Sequence, residues 1–547
     1  MQLRLDVNFV DYLILAIYFV AVLGIGFAAR RYIKTSLDYF LSGRSLPAWI
    51  TGLAFISANL GALEILGMAA NGAQFGVYTV HYYWIGAVPA MVFLGIVMMP
   101  FYYGAKVRSV PEYLRLRFGN AAHIFNAGTF ALATVLIAGV NLYALALVLK
   151  LMLGWPILLG IVVAAAIVLT YITLGGLSSA IYNEVLQFFV IVAALVPLSI
   201  VALHSVGGWH GLTQKVTAMK HSDALMQSWA GVGSGNNPLG ASWIPIVLGL
   251  GFVLSFGYWT TNFAEVQRAL SAKSLGAARR TPLIGAFPKI FVPFITIIPG
   301  LVALVTVKGL GGSNANLQYN NAIPLMMNKF LPNGMLGLAL AGLIAAFMAG
   351  VAANVSAFNT VVTYDLWEPY VARDRSDDYY LNFGRIATVS GILIGIATAL
   401  IASGFNNIMD YIQTLFSIFN APLFATFIIG MFWKRMTPAA GFWGLLAGTF
   451  GAAAAYYLNK WGTVSLGSAQ SSAFWGAFIA FCVDAIVSVG VTLVTQPKPI
   501  EELQGLVYGM ANEEENVAAE ESAWYRKPST LAVGALSITA VLSIVFA

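Results

Sequence analysis

Ionisable side chains are rare in the long apolar runs of this sequence, and each one is a candidate for function because a charge inside lipid is costly. Glu64 and Lys289 lie deepest within their runs, so we predict that both contribute to binding a solute or an ion. The others lie nearer to the ends of their runs, where a side chain can reach water or pair with a charge in a loop. These are Glu184, Glu265, Asp365, Arg385 and Asp410.

Patterns of residues that carry out catalysis are not found in the sequence. No group of His, Cys, Asp and Glu has metal-ligand spacing, and no nucleophile stands beside a general base. The pattern GxxxxGK(S/T) does not occur, which argues against ATP as the energy source. Cys482, the single cysteine, lies in an apolar run without an evident polar partner. The sequence therefore predicts that the chain is not an enzyme.

The composition indicates a polytopic membrane protein of the all-α class. Hydrophobic residues make up 59% of the 547 residues and charged residues only 9%, whereas soluble domains carry about 25% charged residues. Runs of about 20 apolar residues are long enough to cross the bilayer as helices. We predict about 14 spans, near 8–29, 47–70, 78–104, 121–152, 156–174, 182–204, 242–267, 282–307, 335–366, 383–403, 406–432, 438–458, 472–495 and 529–546.

Charge in the loops predicts the orientation. With the N-terminus outside, most of the 28 Lys and Arg residues fall in inner loops, as the positive-inside rule requires. The formal net charge of +6 is thus explained by topology, and we predict no nucleic-acid partner. The first apolar run lacks a basic leader and a cleavage site, so it is expected to remain as a helix. The prediction is a multi-pass protein of the cytoplasmic (inner) membrane with both termini on the outer side.

Two predicted spans are interrupted by glycine and small polar residues. An interrupted helix frees backbone carbonyls that can bind a cation, and its ends can face a substrate; a kink without function is the alternative. The first interruption lies in 51–72, with Ser57, Asn59, Gly61 and Gly67, and the second in 255–268, with Gly257, Thr260, Thr261 and Asn262.

The interruptions occupy corresponding places, because each opens a block of five predicted helices, 47–204 and 242–433. An extra helix with an inner loop precedes them (1–46), and C-terminal helices follow (434–547). The C-terminal part contains an acidic cytoplasmic loop, 496–528, interpreted as a surface linker. The outer loop 205–241, like the second long outer loop at 308–334, is either a lid or a solvated linker.

Several motifs along the chain are similar to those of the sodium/solute symporter family, and most of all to the bacterial sodium/glucose (galactose) cotransporters. The resemblance implies a leucine-transporter-type 5+5 inverted repeat with extra N- and C-terminal helices. It covers about residues 8–500. The motifs are DYFLSGRSLP at 38–47, SVPEYLRLRFG at 109–119, GGLSSAIYNEVLQ at 175–187, VQRALSAKS at 266–274, PKIFVPFITIIPG at 288–300 and DYIQ to FIIGMFWKR at 410–435.

The resemblance also implies a solute site. Asn262, Lys289 and Gln413 match sugar-binding Asn, Lys and Gln of the family, and Glu64 occupies a sugar-binding polar position. Two positions depart from the family, because a sugar-binding glutamate is Tyr83 here and a sugar-binding serine is Gly86. The implied substrate-binding set is Glu64, Met68, Tyr82, Tyr83, Gly86, Asn262, Lys289 and Gln413.

A sodium site is implied in the same way, with two of its ligands lost. Carbonyls at Ser57, Leu60 and Ala346 match family positions, but Ala349 and Gly350 replace two hydroxyl residues. A hard cation needs several oxygen ligands, so another group must substitute for them. Candidates are Ser57 Oγ, water, Ser356 and Glu184. A proton carried by Glu64 or Glu184 is the alternative to Na⁺.

These residues predict cation-coupled symport of a small polar solute by alternating access, with Na⁺ as the expected ion and a sugar as the expected solute. Three alternatives stay open: coupling to H⁺, uncoupled transport, and a solute sensor that does not transport. Membrane lipids are the other expected partners, and the oligomeric state is left open.

Overall fold

A computed structural model of the chain describes residues 7–104, 107–233, 235–312, 317–405, 407–510 and 523–547. Within these ranges the regular elements are helices, and the single β-type contact is an isolated bridge between Leu46 and Ala272. The predicted all-α class is therefore confirmed.

The α-helices follow one another with short connections along most of the chain. Their bounds are α1 Phe9–Ala29, α2 Ser36–Leu41, α3 Ala48–Asn59, α4 Met68–Phe75, α5 Val88–Phe93, α6 Met99–Gly104, α7 Val110–Phe118, α8 Asn120–Leu153, α9 Ile157–Ser205, α10 Gly208–Lys220, α11 Phe256–Thr261, α12 Phe263–Leu270, α13 Leu275–Thr306, α14 Ala322–Phe330, α15 Met335–Val361, α16 Glu368–Tyr370, α17 Asp377–Ala402, α18 Ile408–Phe432, α19 Pro438–Lys460, α20 Ala469–Val494 and α21 Pro528–Val545.

Wider π-helical turns continue several of these helices, and such turns are frequent at functional sites. They are Leu63–Gly67, Tyr82–Ala87, Leu94–Met98, Pro245–Ser255 and Val362–Trp367.

In the described part of the chain, 10 helices are long and apolar enough to cross a membrane, and two bent pairs raise the number to 12. The predicted count of about 14 is not confirmed. Of the two remaining predicted segments, one is the shorter apolar helix Ile157–Thr173. The other corresponds to α19, a helix of 23 residues with four glycines that lower its hydropathy. The structure thus has a helix at each predicted segment, but only 12 of the segments are long and apolar enough in the described part of the chain to cross a membrane.

The first predicted interruption is a real break. The helix pair Ala48–Asn59 and Leu63–Val80 bends by 57°. Asn141 on α8 stabilises the break, because its Oδ1 accepts a hydrogen bond of 2.8 Å from the backbone N–H of Ala62. A Cβ at Gly61 would lie only 2.6 Å from that oxygen, so the close approach requires glycine here.

The second break lies between α11 and α12, where the axis bends by 49°. Asn262 is extended there (φ −72°, ψ 107°), and its Oδ1 accepts from the N–H of Ala264 at 3.0 Å. Asparagine is among the best residues for capping a helix N-terminus in this way. The polar residue at the break therefore begins a new helix.

The two breaks are held together by α13, α8 and α15. Helix α13 packs along α3 and α4, and α15 packs between α8 and α9. Every residue of α15 from Ala339 to Val361 is buried, as expected for a helix surrounded by protein. The bounds predicted for the two five-helix blocks stay a prediction, although each break does lie near the start of its block.

Described parts of two long polar segments pack against the helices. Segment 205–241 contains α10 and contacts the C-terminal end of the first broken span, since His81 Nε2 lies 2.7 Å from the carbonyl oxygen of Ser228. In the acidic loop, the carbonyl of Leu506 accepts from Tyr113 OH at 2.6 Å, and Leu503 is buried. Residues 511–522, with most of the acidic side chains of that loop, lie outside the described residues.

Candidate functional site

A cavity of about 90 Å³ lies where the first broken span meets the Tyr82–Ala87 turn, α11, α13 and α18. That volume holds a few water molecules. Its lining is rich in aromatic and polar side chains. The lining residues are Asn59, Leu63, Glu64, Met68, Tyr82, Tyr83, Ala87, Leu250, Leu254, Ser255, Tyr258, Trp259, Lys289, Met409, Ile412, Gln413 and Phe416.

An ion pair between Lys289 and Glu64 lies at the edge of this cavity. Lys289 Nζ on α13 lies 2.6 Å from Glu64 Oε1 and 2.5 Å from Asn59 Oδ1. The ammonium also faces the rings of Tyr83 and Trp259, at 4.9 and 5.3 Å from their centroids. Both side chains of the pair are nearly buried, at 3% exposed for Lys289 and 11% for Glu64. The two charges deepest in the predicted spans thus neutralise each other at the edge of the cavity.

The structure brings most of the predicted solute-binding residues together, since Glu64, Met68, Tyr82, Tyr83, Lys289 and Gln413 all line this cavity. Gly86 and Asn262 do not line it. Gly86 packs against Ser255, whose side chain fills the space where a Cβ would stand. Asn262 is turned away because it caps α12, and it lines a smaller neighbouring cavity.

Sequence reasoning missed several lining residues, above all Asn59, Ser255, Tyr258 and Trp259. A signal for Asn59 was present, because it stands five residues before Glu64 in the same interrupted span. Tyr258 donates its hydroxyl hydrogen to Glu265 Oε1 at 2.7 Å and accepts from Asn59 Nδ2 at 3.0 Å. The cavity is therefore joined by hydrogen bonds to Glu265 on α12.

A network of polar side chains begins at Tyr82, on one side of the cavity. The hydroxyl of Tyr82 donates to Gln470 Oε1 on α20, and Gln470 Nε2 donates to Asp410 Oδ1 at 2.5 Å. Next to them, Asn407 Nδ2 donates to Asn71 Oδ1 at 2.9 Å. This network ties the first broken span to α18 and α20.

The positions implied for sodium lie on α3, at its break, and on α15, and these two helices pack together. Ser57, Leu60, Ala346, Ala349 and Gly350 are all buried. Ser57 Oγ has no hydrogen-bond partner among the described residues.

The amide of Asn141 occupies the space beside Gly350, since a Cβ built at residue 350 would overlap Asn141 Oδ1. The oxygen Asn141 Oδ1 therefore occupies the place that the Cβ atom of a larger residue at position 350 would take. The donor set at this place consists of oxygen atoms, which suits a hard monovalent cation.

The two alternative ligands differ in their surroundings. Glu184 Oε1 lies 2.5 Å from Arg268 Nη2, and both side chains are fully buried. Because Arg268 already neutralises the Glu184 carboxylate, this carboxylate attracts a further cation only weakly. Ser356 Oγ is buried and has no hydrogen-bond partner in the part of the chain that the structure describes.

Residues 39–448 match the sodium:solute symporter family. The chain belongs to that family. It is 28% identical over 459 residues to the sodium/glucose cotransporter of Vibrio parahaemolyticus, covering 80% of this chain and 84% of that protein. It is 29% identical over 465 residues to the human sodium/myo-inositol cotransporter 2, covering 80% of this chain and 68% of that protein.

Among solved structures, the fold is similar to that of a Na⁺-coupled sialic acid symporter in a substrate-bound, outward-open state. The TM-score is 0.74 at 19% identity, over 90% of this chain and 99% of that one. The nucleobase-cation symporter Mhp1 is also similar in fold, with a TM-score of 0.53 at 14% identity, over 86% of this chain and 97% of that one. These likenesses confirm the predicted leucine-transporter-type fold.

Membership of the sodium:solute symporter family makes this chain a membrane transporter of a sodium-coupled family. The predictions of a transporter rather than an enzyme, and of Na⁺ as the coupling ion, are confirmed at the level of the family. The solute is not decided by membership.

Proposed function

We propose that this family member carries a neutral sugar or polyol across the cytoplasmic membrane together with Na⁺, by alternating access. The observation that supports a neutral solute most is the charge of the cavity. Glu64 and Lys289 are the charged residues among its lining side chains, and they pair with each other at 2.6 Å. An anionic or cationic solute would have to compete with the partner that is already there.

Hydrogen-bonding groups in the cavity match a polyhydroxyl compound. A sugar hydroxyl both donates and accepts, and the amides of Asn59 and Gln413 offer both functions. Lys289 offers donors and Glu64 offers acceptors. We infer that a bound sugar takes over hydrogen bonds that Lys289 now makes with Glu64 and Asn59.

The aromatic residues of the cavity support the same solute class. Tyr83, Tyr258 and Trp259 surround the polar groups, and a pyranose or cyclitol ring can pack its apolar face on such rings. Relatives that transport glucose and myo-inositol by name agree with this class. Tyr83 and Gly86 differ from the implied family pattern, so the particular sugar is best found by a screen.

The energy from one co-transported Na⁺ is sufficient for uptake. Moving one positive charge inward is worth about 2.3 kcal/mol per 100 mV. That energy corresponds to about 50-fold accumulation of solute at 25 °C.

The test is uptake by the purified chain in proteoliposomes. Labelled glucose, galactose, myo-inositol and an acidic sugar are offered under an inward Na⁺ gradient, under an inward H⁺ gradient at constant choline, and under no gradient. We expect a neutral sugar or polyol to accumulate under the Na⁺ gradient alone.

Other outcomes identify the alternatives. Accumulation under the H⁺ gradient alone indicates proton coupling, and equilibration without accumulation indicates an uncoupled transporter. Saturable binding with no uptake indicates a sensor. Uptake of the acidic sugar only would contradict the proposed neutral solute.

A further inference from the structure

A second, smaller cavity lies beside the solute cavity, between the two broken spans, α8 and α15. Its volume of about 20 Å³ is enough for one water molecule or one small ion. Six polar side chains from different parts of the fold line it: Asn59, Asn141, Tyr258, Asn262, Glu265 and Asn354.

Glu265 is the only carboxylate or basic residue among the lining residues of this cavity in the described structure. Its side chain was expected near the inner end of a span, close to water or a loop charge, but it is only 2% exposed. Oε1 accepts from Tyr258 OH, whereas Oε2 is buried without a hydrogen-bond partner among the described residues. A buried carboxylate oxygen without a donor is unfavourable unless a proton or a metal cation neutralises it.

The charges around Glu265 do not balance. The basic residues that attract the Glu265 carboxylate are Arg268 and Lys289. However, Arg268 is paired with Glu184, and Lys289 is paired with Glu64. Three acidic side chains, Glu64, Glu184 and Glu265, therefore stand against two basic ones. When Glu265 is ionised, it has no basic partner of its own, and one monovalent cation would neutralise it.

Two amide groups supply further oxygens. Asn141 Nδ2 donates to the carbonyl of Ile137 at 3.0 Å, and Asn354 Nδ2 donates to the carbonyl of Gly350 at 2.8 Å. Because each NH₂ group is bound to its own helix one turn back, the amide oxygens are left to serve other partners. Asn141 Oδ1 accepts from the N–H of Ala62, and an amide oxygen has a second lone pair for a cation.

We propose that the coupling Na⁺ of this chain binds in the smaller cavity to Glu265 Oε2 and the amide oxygens of Asn141 and Asn354. These oxygens replace the hydroxyl ligands that are missing at Ala349 and Gly350. The proposal rests on the sodium-coupled transport proposed above, and it assigns the ion a site that the family pattern does not contain.

The site is linked to the solute cavity by a chain of hydrogen bonds. Glu265 accepts from Tyr258, Tyr258 accepts from Asn59, and Asn59 accepts from Lys289. A cation that draws the Glu265 carboxylate toward itself changes the position of Tyr258 and, through Asn59, the partners of Lys289. Ion binding and solute binding are thereby coupled through neighbouring side chains.

The experiment measures binding of ²²Na⁺ to the purified full chain, with choline as the replacing cation. Glu265→Gln keeps the shape of the side chain and removes its charge, and we expect at least a tenfold rise in the half-saturating Na⁺ concentration. Asn354→Ala keeps the charge balance and removes one oxygen, so a three- to tenfold rise is expected.

Asp484→Asn is the matched control. Asp484 is also a fully buried carboxylate, but it lies on α20 and accepts from Thr426 Oγ1 at 2.6 Å and Ser488 Oγ at 2.9 Å. Its replacement should leave the half-saturating Na⁺ concentration within twofold of that of the unchanged chain.

Thermal unfolding separates ion binding from folding. In choline, Glu265→Gln should unfold at the same temperature as the chain without substitutions or higher, because an unpaired buried carboxylate is removed, and the stabilisation by added Na⁺ should be lost. The site would be overturned if Glu265→Gln and Asn354→Ala both bound ²²Na⁺ as the chain without substitutions does. It would also be overturned if the chain without substitutions bound no Na⁺.

None of these measurements uses a solute, so they remain valid if the proposed sugar is wrong. Na⁺-driven sugar uptake with normal Na⁺ dependence in Glu265→Gln would instead remove the site and keep the symport.

Discussion

Two buried ion pairs, one beside each broken span, have the same chemistry and different surroundings. Lys289 and Glu64 connect α13 to the first broken span and line the solute cavity. Arg268 and Glu184 connect α12 to α9, and both are fully buried, at 0% exposed. Arg268 is held further by the carbonyl of Ala264, at 2.7 Å from Nη1.

The difference in surroundings separates a working ion pair from a structural one. A pair beside a cavity that holds water can be opened and reformed by a ligand, because the separated charges find other polar partners. A sealed pair cannot be opened without leaving charges in a medium of low dielectric, which is strongly unfavourable. We therefore infer that Lys289–Glu64 changes during transport, and that Arg268–Glu184 holds α12, the second part of the second broken span, in place.

The largest expected effect is on stability. Arg268→Met should destabilise the chain by about 3–5 kcal/mol, because Glu184 is left charged and unpaired in the interior. Thermal unfolding in detergent measures the change. The double variant Glu184→Leu with Arg268→Met removes both charges and should recover most of the loss.

Arg385→Met is the control for removing an arginine from a span. Arg385 Nη1 donates a 3.3 Å hydrogen bond to Asn382 Oδ1 at an exposed site, so its loss should change stability by less than about 0.5 kcal/mol. Equal destabilisation by both arginine variants would contradict the special role of the sealed pair.

The next effect is on transport rather than folding. Lys289→Ala should reduce uptake at least about 100-fold, since hydrogen bonds from a charged donor are worth about 1.5–3 kcal/mol each and Lys289 offers several to a sugar. Gln413→Ala, which removes one amide, should reduce uptake by about tenfold. Initial uptake rates at low solute concentration measure both.

Lys329→Ala is the matched control, because Lys329 is an exposed lysine without a carboxylate partner in the described structure, and its Nζ donates to the carbonyl of Thr306. It should transport like the unchanged chain. Normal uptake by Lys289→Ala would show that the ion pair beside the cavity is structural as well.

The fold was predictable from sequence because the bilayer constrains it so strongly. Every backbone group in lipid must be bonded within the protein, so apolar runs of sufficient length become helices. The two breaks were predictable for the same reason, since glycine and asparagine in mid-membrane are tolerated mainly where protein supplies the missing contacts. Gly61 and Asn262 lie at the breaks that the structure shows.

The site was predictable only in part. Glu64 and Lys289 were found because charges in spans are rare, whereas Asn141 is uncharged and is one of several polar residues in a long helix. The direction of Asn262 could not be predicted, because helical periodicity does not continue through an extended residue. Glu265 was misplaced for a similar reason: the bend after Asn262 keeps this side chain among protein groups instead of near water.

A smaller effect is expected where the two cavities are joined. Tyr258→Phe removes the hydroxyl that links Asn59 to Glu265 and keeps the ring against Phe416, 5.0 Å away between centroids. Two neutral-donor hydrogen bonds are lost, so we expect about a five- to 20-fold rise in the half-saturating Na⁺ concentration for uptake. An unchanged Na⁺ dependence would show that the link does not transmit coupling.

The smallest effect is expected at the network of Tyr82 and Gln470, where no charge becomes unpaired. Tyr82→Phe removes the hydrogen bond to Gln470 and keeps the aromatic wall of the cavity. The loss of one bond between neutral groups is worth about 1 kcal/mol, so the apparent solute affinity in uptake should change by about two- to fivefold. Tyr78→Phe serves as control, since Tyr78 does not line the cavity and its hydroxyl has no hydrogen-bond partner among the described residues. A loss of uptake by Tyr82→Phe as large as that of Lys289→Ala would mean that this hydroxyl contacts the solute, and the working region would then extend outward from the ion pair.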